Sequence, residues 1–150
     1  MSRKMIIWLI VFLVVLSGAI YFYKEFNRTN ADLTKVNADY RVEDLSFLNE
    51  FVKNDTLTGR KYNGKVIEVT GNVKSIEKDE MGYSTILLGD ASSLSAVRCS
   101  MDSVYQSDAA SLANGTSVTI RGICTGYNSD ELGLGADVIL NRCVIVKPKD

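Results

Sequence analysis

Hydrophobic residues are unevenly distributed along the chain, and the longest uncharged run lies at its N-terminus. Residues 5–23 (MIIWLIVFLVVLSGAIYFY) carry no charge, and 19 residues in a helix span about 28 Å, close to the hydrocarbon thickness of a bilayer. Arg3 and Lys4 precede the run, so the positive-inside rule places the N-terminus in the cytoplasm. The pattern predicts a cytoplasmic N-terminus over 1–4 and a transmembrane signal-anchor helix over 5–23.

A cleaved signal peptide is the alternative interpretation of the same segment. The small residues at 17–19 (SGA) suit a peptidase, and cleavage near Ala19 would release a secreted protein. The apolar run continues through 20–23, which favours the uncleaved anchor. We therefore expect a single-pass inner-membrane protein with its main domain in the periplasm, joined to the anchor by a polar stalk over 24–37.

The remainder of the chain changes from a helical to a strand-like pattern. Apolar positions at helical spacing predict a short amphipathic helix at about 44–58, which stops either at 54–55 (ND) or at Gly59. Alternation then predicts five strands, with a further helix that follows Asp102 or Ser103 and ends at 114–115. The predicted strands cover 65–78, 83–88, 96–101, 117–125 and 138–147.

The order of these elements indicates a mainly β domain of the OB-fold class. Three strands, a helix and two more strands form a five-stranded Greek-key barrel in that fold, against the alternative of a simple meander or sandwich. The pattern I-x-V-x-G at 67–71 returns as V-x-I-x-G at 118–122, which suits the first and fourth strands of a barrel that pair. The alternation slips between Val73 and Ile76, which predicts a bulge. We expect an OB-fold domain over 38–150, with the barrel at about 62–148.

Several segments of this domain also carry a family resemblance. They are YNGKVIEVTGNV at 62–73, VRC at 97–99, GICTG at 122–126 and DVILNRC at 137–143. Over 38–150 the chain resembles the tRNA_anti-like family of bacterial OB-fold proteins, which are small and exported or membrane-anchored. The resemblance implies the fold and the location, and it makes nucleic-acid binding an expectation to test.

Charge and aromatic content argue against nucleic acid as the partner. The whole chain has a net charge of −1, and from Tyr62 onward 8 basic residues face 11 acidic ones. Single-strand binding needs a positive groove with aromatic rings on which bases stack, yet this region has tyrosine as its one aromatic type. We therefore expect a binding module of the cell envelope, with an envelope protein or an oligomeric ligand as partner. Binding of a single-stranded oligonucleotide is the alternative.

The expected contact surface is the open face of the barrel with its rim loops at 78–83 and 126–137, where OB-folds hold oligomeric ligands. Its candidate binding residues are Lys74, Lys78, Tyr83, Arg98 and Tyr127.

Catalysis is not predicted. The chain has no histidine, which excludes Ser-His-Asp and Cys-His arrangements and histidine-ligated metals. Asp130 and Glu131 form an acidic pair in the glycine-rich loop, and their loss would abolish activity if the protein were a hydrolase. We expect a non-enzyme without metal or cofactor.

Three cysteines, Cys99, Cys124 and Cys143, occupy separate predicted strands. They are either three buried reduced thiols or, outside the cytoplasm, include a disulfide. Because the last two strands are expected neighbours, the predicted bridge joins Cys124 to Cys143.

Overall fold

The structure, a computed structural model, describes residues 3–26, 32–129 and 135–147. Within α1, side chains are described at 5 and 12–23. Four α-helices and six strands lie in these ranges, and a 3-10 turn at Ser103–Tyr105 leads into the last helix. The helices are α1 (Arg3–Phe26), α2 (Asp44–Lys53), α3 (Asp55–Tyr62) and α4 (Gln106–Ala109). The strands are β1 (Tyr40–Glu43), β2 (Val66–Lys78), β3 (Ser84–Leu88), β4 (Ala96–Met101), β5 (Ser117–Asn128) and β6 (Asp137–Ile145).

The N-terminal unit, residues 1–31, contains α1 and is distinct from the compact unit that begins at Asp32. A helix does form where the uncharged run lies. In the described part of the chain, however, no helix is both long enough and apolar enough to cross a membrane. The transmembrane helix predicted over 5–23 is therefore not supported.

A closed five-stranded barrel forms the body of the second unit. Its strands follow the order β2-β3-β4-β6-β5, and pairing between β2 and β5 closes it. Because β4 and β6 run parallel while the other barrel neighbours are antiparallel, the connectivity is that of an OB-fold. The predicted pairing of the first and fourth barrel strands is confirmed.

Strand alternation places the core inside this barrel. Ile67 and Val69 of β2, Ile86 of β3 and Ile120 of β5 are fully buried, as a period of two requires for strands with one face on the core. The register of β2 against β3 shifts between Val73 and Ser75, which confirms the predicted bulge.

The helix predicted at 44–58 is two helices that meet at Asn54. The backbone N–H of Asn54 donates to the carbonyl of Glu50 at 3.2 Å and ends α2. Its side-chain oxygen accepts from the backbone N–H of Leu57 at 3.0 Å and begins α3. The break between the two helices brings the rings of Phe47 and Tyr62 into contact, with centroids 5.0 Å apart. This aromatic pair extends the barrel core.

Part of the predicted stalk belongs to the folded domain, and the predicted internal helix is shorter than expected. Residues 27–31 lie outside the described residues, but 32–37 belong to the compact unit, and Leu33 is buried there. β1 then adds a parallel strand to β2, starting with Tyr40 beside Ile67. Between β4 and β5, the helix is reduced to a 3-10 turn and the four-residue α4.

Candidate functional site

The outward side of β3 and β4 is the surface on which OB-folds hold ligands. Thr85 lies opposite Ser100, and Leu87 lies opposite Arg98. Thr85, Ser100 and Arg98 alternate with buried side chains such as Ile86, so they lie on the outer face, whereas Leu87 is itself buried. We call this surface, together with the loop at 79–83, the OB face.

Arg98 lies at the centre of the OB face and is already paired. Its Nη2 is 2.6 Å from Oε2 of Glu77, and its Nη1 is 3.6 Å from Oδ2 of Asp137. Because two carboxylates accompany one guanidinium, the charge of Arg98 is offset where a ligand would meet it.

The loop before β3 presents the most accessible candidate residue. The side-chain Oδ1 of Asp79 accepts hydrogen bonds from the backbone N–H groups of Met81 and Tyr83, at 2.9 and 2.8 Å, which fixes the turn. Gly82 within it has φ of +84°, a conformation that favours glycine. The side chains of Met81 and Tyr83 are 81% and 44% exposed, and Lys78 is exposed at the start of the same loop. An apolar contact surface therefore lies beside a cation.

Lys74 and Tyr127, two of the five predicted binding residues, make structural contacts instead. The ammonium of Lys74 donates to the carbonyl oxygens of Ser93 and Ser95 and so holds the loop before β4. The ring of Tyr127 stacks on Phe51 of α2, with centroids 5.0 Å apart. The structure brings Lys78, Tyr83 and Arg98 to the OB face and its rim, but it gives Lys74 and Tyr127 other roles. The acidic pair at 130–131 lies outside the described residues.

The predicted bridge between Cys124 and Cys143 is absent, because both are free, buried thiols. The register puts Leu140, not Cys143, opposite Cys124. The Sγ of Cys124 points to Oδ1 of Asn63 at 3.6 Å. The thiol of Cys143 instead lies beside the thiol of Cys99, with which it shares a hydrogen bond. Burial raises the pKa of Cys124 to about 11 and that of Cys143 well above its ordinary value.

Sequence reasoning missed a charged cluster on the opposite pair of strands, where Glu68 of β2 lies directly beside Arg121 of β5. Nη2 of Arg121 donates to Oε2 of Glu68 at 2.8 Å, and Nε of Arg41 donates to Oε1 at 3.2 Å. Burial opposes ionisation of Glu68, but the hydrogen bonds from the two arginines outweigh it and lower the pKa of the carboxyl. The repeated glycine motif predicted that these strands pair, but it did not supply the register.

Arg121 also binds the backbone that enters the barrel domain. Its Nη1 donates to the carbonyl oxygens of Leu33 at 2.9 Å and Val36 at 2.8 Å. Next to it, the hydroxyl of Tyr105 donates to Oδ1 of Asp32 at 3.1 Å. These bonds explain why residues 32–37 are part of the domain.

No group of three or more Cys, Asp or Glu side chains that could hold a metal occurs among the described residues.

The closed barrel and its strand order define an OB-fold domain. The model of the tRNA_anti-like family matches residues 1–144, and the chain belongs to this family. Among curated proteins, no match to the chain is found.

The chain is also similar to solved structures. A candidate nucleic acid-binding lipoprotein from Klebsiella pneumoniae is similar with a TM-score of 0.56 and 21% identity, over 71% of this chain and 91% of that one. Asparaginyl-tRNA synthetase from Pyrococcus horikoshii is similar with a TM-score of 0.40 and 16% identity; the match covers 60% of this chain and 21% of the synthetase.

Proposed function

We propose that this protein is a non-catalytic binding module that holds single-stranded nucleic acid on its OB face. The family is named for anticodon-binding domains, and a structural relative is described as a candidate nucleic acid-binding lipoprotein. Both support this ligand class over the envelope ligand that the charge balance favours.

The exposed ring of Tyr83 is the observation that carries the proposal. It is 44% exposed at the rim of the OB face. It adjoins β3, where the hydroxyl of Thr85 lies 3.4 Å from the hydroxyl of Ser100 on the neighbouring strand β4. A base can stack on such a ring, and Lys78 at the other end of the loop supplies a charge for a backbone phosphate. The expected interaction is weak because it involves one ring and few cations.

The residues of the OB face support the non-catalytic part of this proposal. The chain has no histidine, and Glu77, the carboxylate that lies opposite Thr85 at the OB face, is paired with Arg98 rather than with a hydroxyl that it could activate as a nucleophile.

An oligomeric ligand other than nucleic acid, or an envelope protein, is the second candidate. The pairing of Arg98 with Glu77 and Asp137 favours it, because an unpaired guanidinium would attract phosphate more strongly.

We also propose that the domain lies outside the cytoplasm, on the basis of the uncharged run at 5–23. Reporters active on one side of the membrane, fused after Asp150, test this location; activity of the cytoplasmic reporter would contradict it.

The test of the ligand is fluorescence anisotropy of a labelled single-stranded oligonucleotide titrated with the full chain at low salt. Tyr83→Ala and Lys78→Glu are each expected to weaken binding at least about fivefold, since each removes about 1 kcal/mol or more of stacking or charge interaction. Lys65→Glu is the matched control: it makes the same charge change at an exposed lysine at the other end of β2, and it should change affinity much less.

A second variant distinguishes the two candidates. Glu77→Gln combined with Asp137→Asn releases the guanidinium of Arg98 and should tighten oligonucleotide binding. If the wild-type chain shows no binding that weakens with salt, nucleic acid is excluded and the second candidate takes its place. Thermal unfolding of each variant shows whether the fold is kept.

A further inference from the structure

A second concave site lies away from the OB face. It is a cleft of about 520 Å³, within the size range of small-molecule sites. Its walls are the segment at 34–37, the charged cluster of β2 and β5, the turn at 105–108 and the end of β6 at 144–147. A neighbouring cavity of about 360 Å³ shares Glu68 and residues 145–147 with it, so the two form one groove. None of the lining residues belongs to the OB face.

The cations of this cleft outnumber its anions. Arg41, Arg121 and Lys147 line it with two acids, Glu68 and Asp108. Both carboxylate oxygens of Glu68 are occupied, because one accepts a hydrogen bond from Arg121 and the other accepts one from Arg41. Its one negative charge therefore serves two guanidinium groups, and the cleft keeps a positive excess in a chain whose net charge is −1.

The two exposed cations have donors to spare. The side chain of Arg41 is 73% exposed and uses Nε for Glu68, while its Nη groups make no hydrogen bond within the described residues. Lys147 is exposed and has no ion pair there either. Arg121 differs, because Glu68 and the carbonyls of the entering segment occupy its donors.

We propose that this cleft is a second binding site and that it takes a small oxyanion of the phosphate class, held between Arg41 and Lys147. The planar fork of an arginine matches two oxygens of a phosphate, and the lysine adds a point charge. The exposed side chain of Asn37 offers a neutral donor in the same cleft, whereas the hydroxyl and the backbone N–H of Thr34 donate to Asp32. Glu68 keeps the Arg41 guanidinium oriented, and Asp108 limits how much negative charge the site accepts.

Inorganic phosphate titrated into the full chain, followed by amide chemical shifts at constant ionic strength, tests the site. The expected result is a saturable response at residues 34–41 and 144–147. Arg41→Gln and Lys147→Gln should each weaken binding at least about fivefold, whereas Asp108→Asn should tighten it. Lys65→Gln is the matched control, and it should leave binding unchanged.

A response that does not saturate, or that is the same in Arg41→Gln and in wild type, would overturn the proposal. Two further probes identify the source of the phosphate group. Competition with inorganic phosphate by glycerol phosphate but not by vesicles of phosphatidic acid indicates a soluble ligand. Stronger competition by the vesicles than by glycerol phosphate indicates a lipid headgroup. Tyr83→Ala should leave phosphate binding intact, so phosphate binding in the cleft and nucleic-acid binding on the OB face are tested independently.

Discussion

Two glycines that look alike in sequence serve the same purpose through different neighbours. A Cβ added at Gly71 would lie 2.2 Å from Oδ2 of Asp44, at the start of α2, and one added at Gly122 would lie 2.5 Å from Sγ of Cys143. Both distances are far below van der Waals contact. The repeated motif therefore marks places where another side chain crosses β2 or β5, a cause that the strand pattern alone does not reveal.

Gly71→Ala is expected to destabilise the domain by about 1–3 kcal/mol, the usual cost of overpacking, because Asp44 and the end of α2 must move. Gly126→Ala is the control, since nothing lies within 4 Å of its added Cβ. Urea unfolding measures both. Equal stability of the two variants would mean that α2 shifts freely and that the contact is unimportant.

The cysteines are the second residue-scale feature. All three thiols are buried and free, and the pKa of Cys124 is raised to about 11, so very little thiolate exists at pH 8. We expect no cysteine to react with a thiol reagent such as DTNB on the minute timescale in the native chain, and three to react in denaturant. Rapid modification of one thiol in the native state would show that its part of the barrel opens.

At the scale of elements, the strands were predictable and the connections were not. All five predicted barrel strands begin and end within about three residues of the observed ones. A half-buried strand requires apolar and polar residues to alternate, and this alternation can be recognised in the sequence. Asn54 shows the limit: it was one of the two expected ends of the helix, but the helical period did not reveal that the same residue also caps a second helix, α3. Of the candidate binding residues, Lys78, Tyr83 and Arg98 lie on the OB face or its rim, and their part in binding stays a prediction. The contacts of Lys74 depend on a loop conformation that no periodicity encodes.

Arg121 joins the entering segment to the barrel, and its loss should release that segment. Arg121→Ala is expected to speed trypsin cleavage after Lys35 about tenfold, which corresponds to ~1.4 kcal/mol of local stability. Arg41→Ala is the matched control, because it also removes a bond to Glu68 but no bond to the segment. Mass spectrometry of the fragments gives the rates, and equal cleavage in both variants would contradict the assignment.

At the scale of the whole molecule, charge sets how a nucleic acid would bind. The OB face offers about two cations, Lys78 and Arg98, and the latter is paired. Binding to a single strand should therefore depend on salt with a slope of about −1.4 or shallower in a plot of log affinity against log salt concentration. Anisotropy titrations at several salt concentrations measure it. A slope several times steeper would require cations outside the OB face.

The contact between Arg121 and the segment at 33–36 has a consequence for sequence variation. The guanidinium binds main-chain carbonyls, which every amino acid provides. Exchanges at Thr34 or Lys35, both exposed, would keep these bonds, while the buried Leu33 must stay apolar. An insertion or deletion between Leu33 and β1 would instead move the carbonyls out of reach. This stretch of chain is therefore free to change in composition but is held to a fixed length.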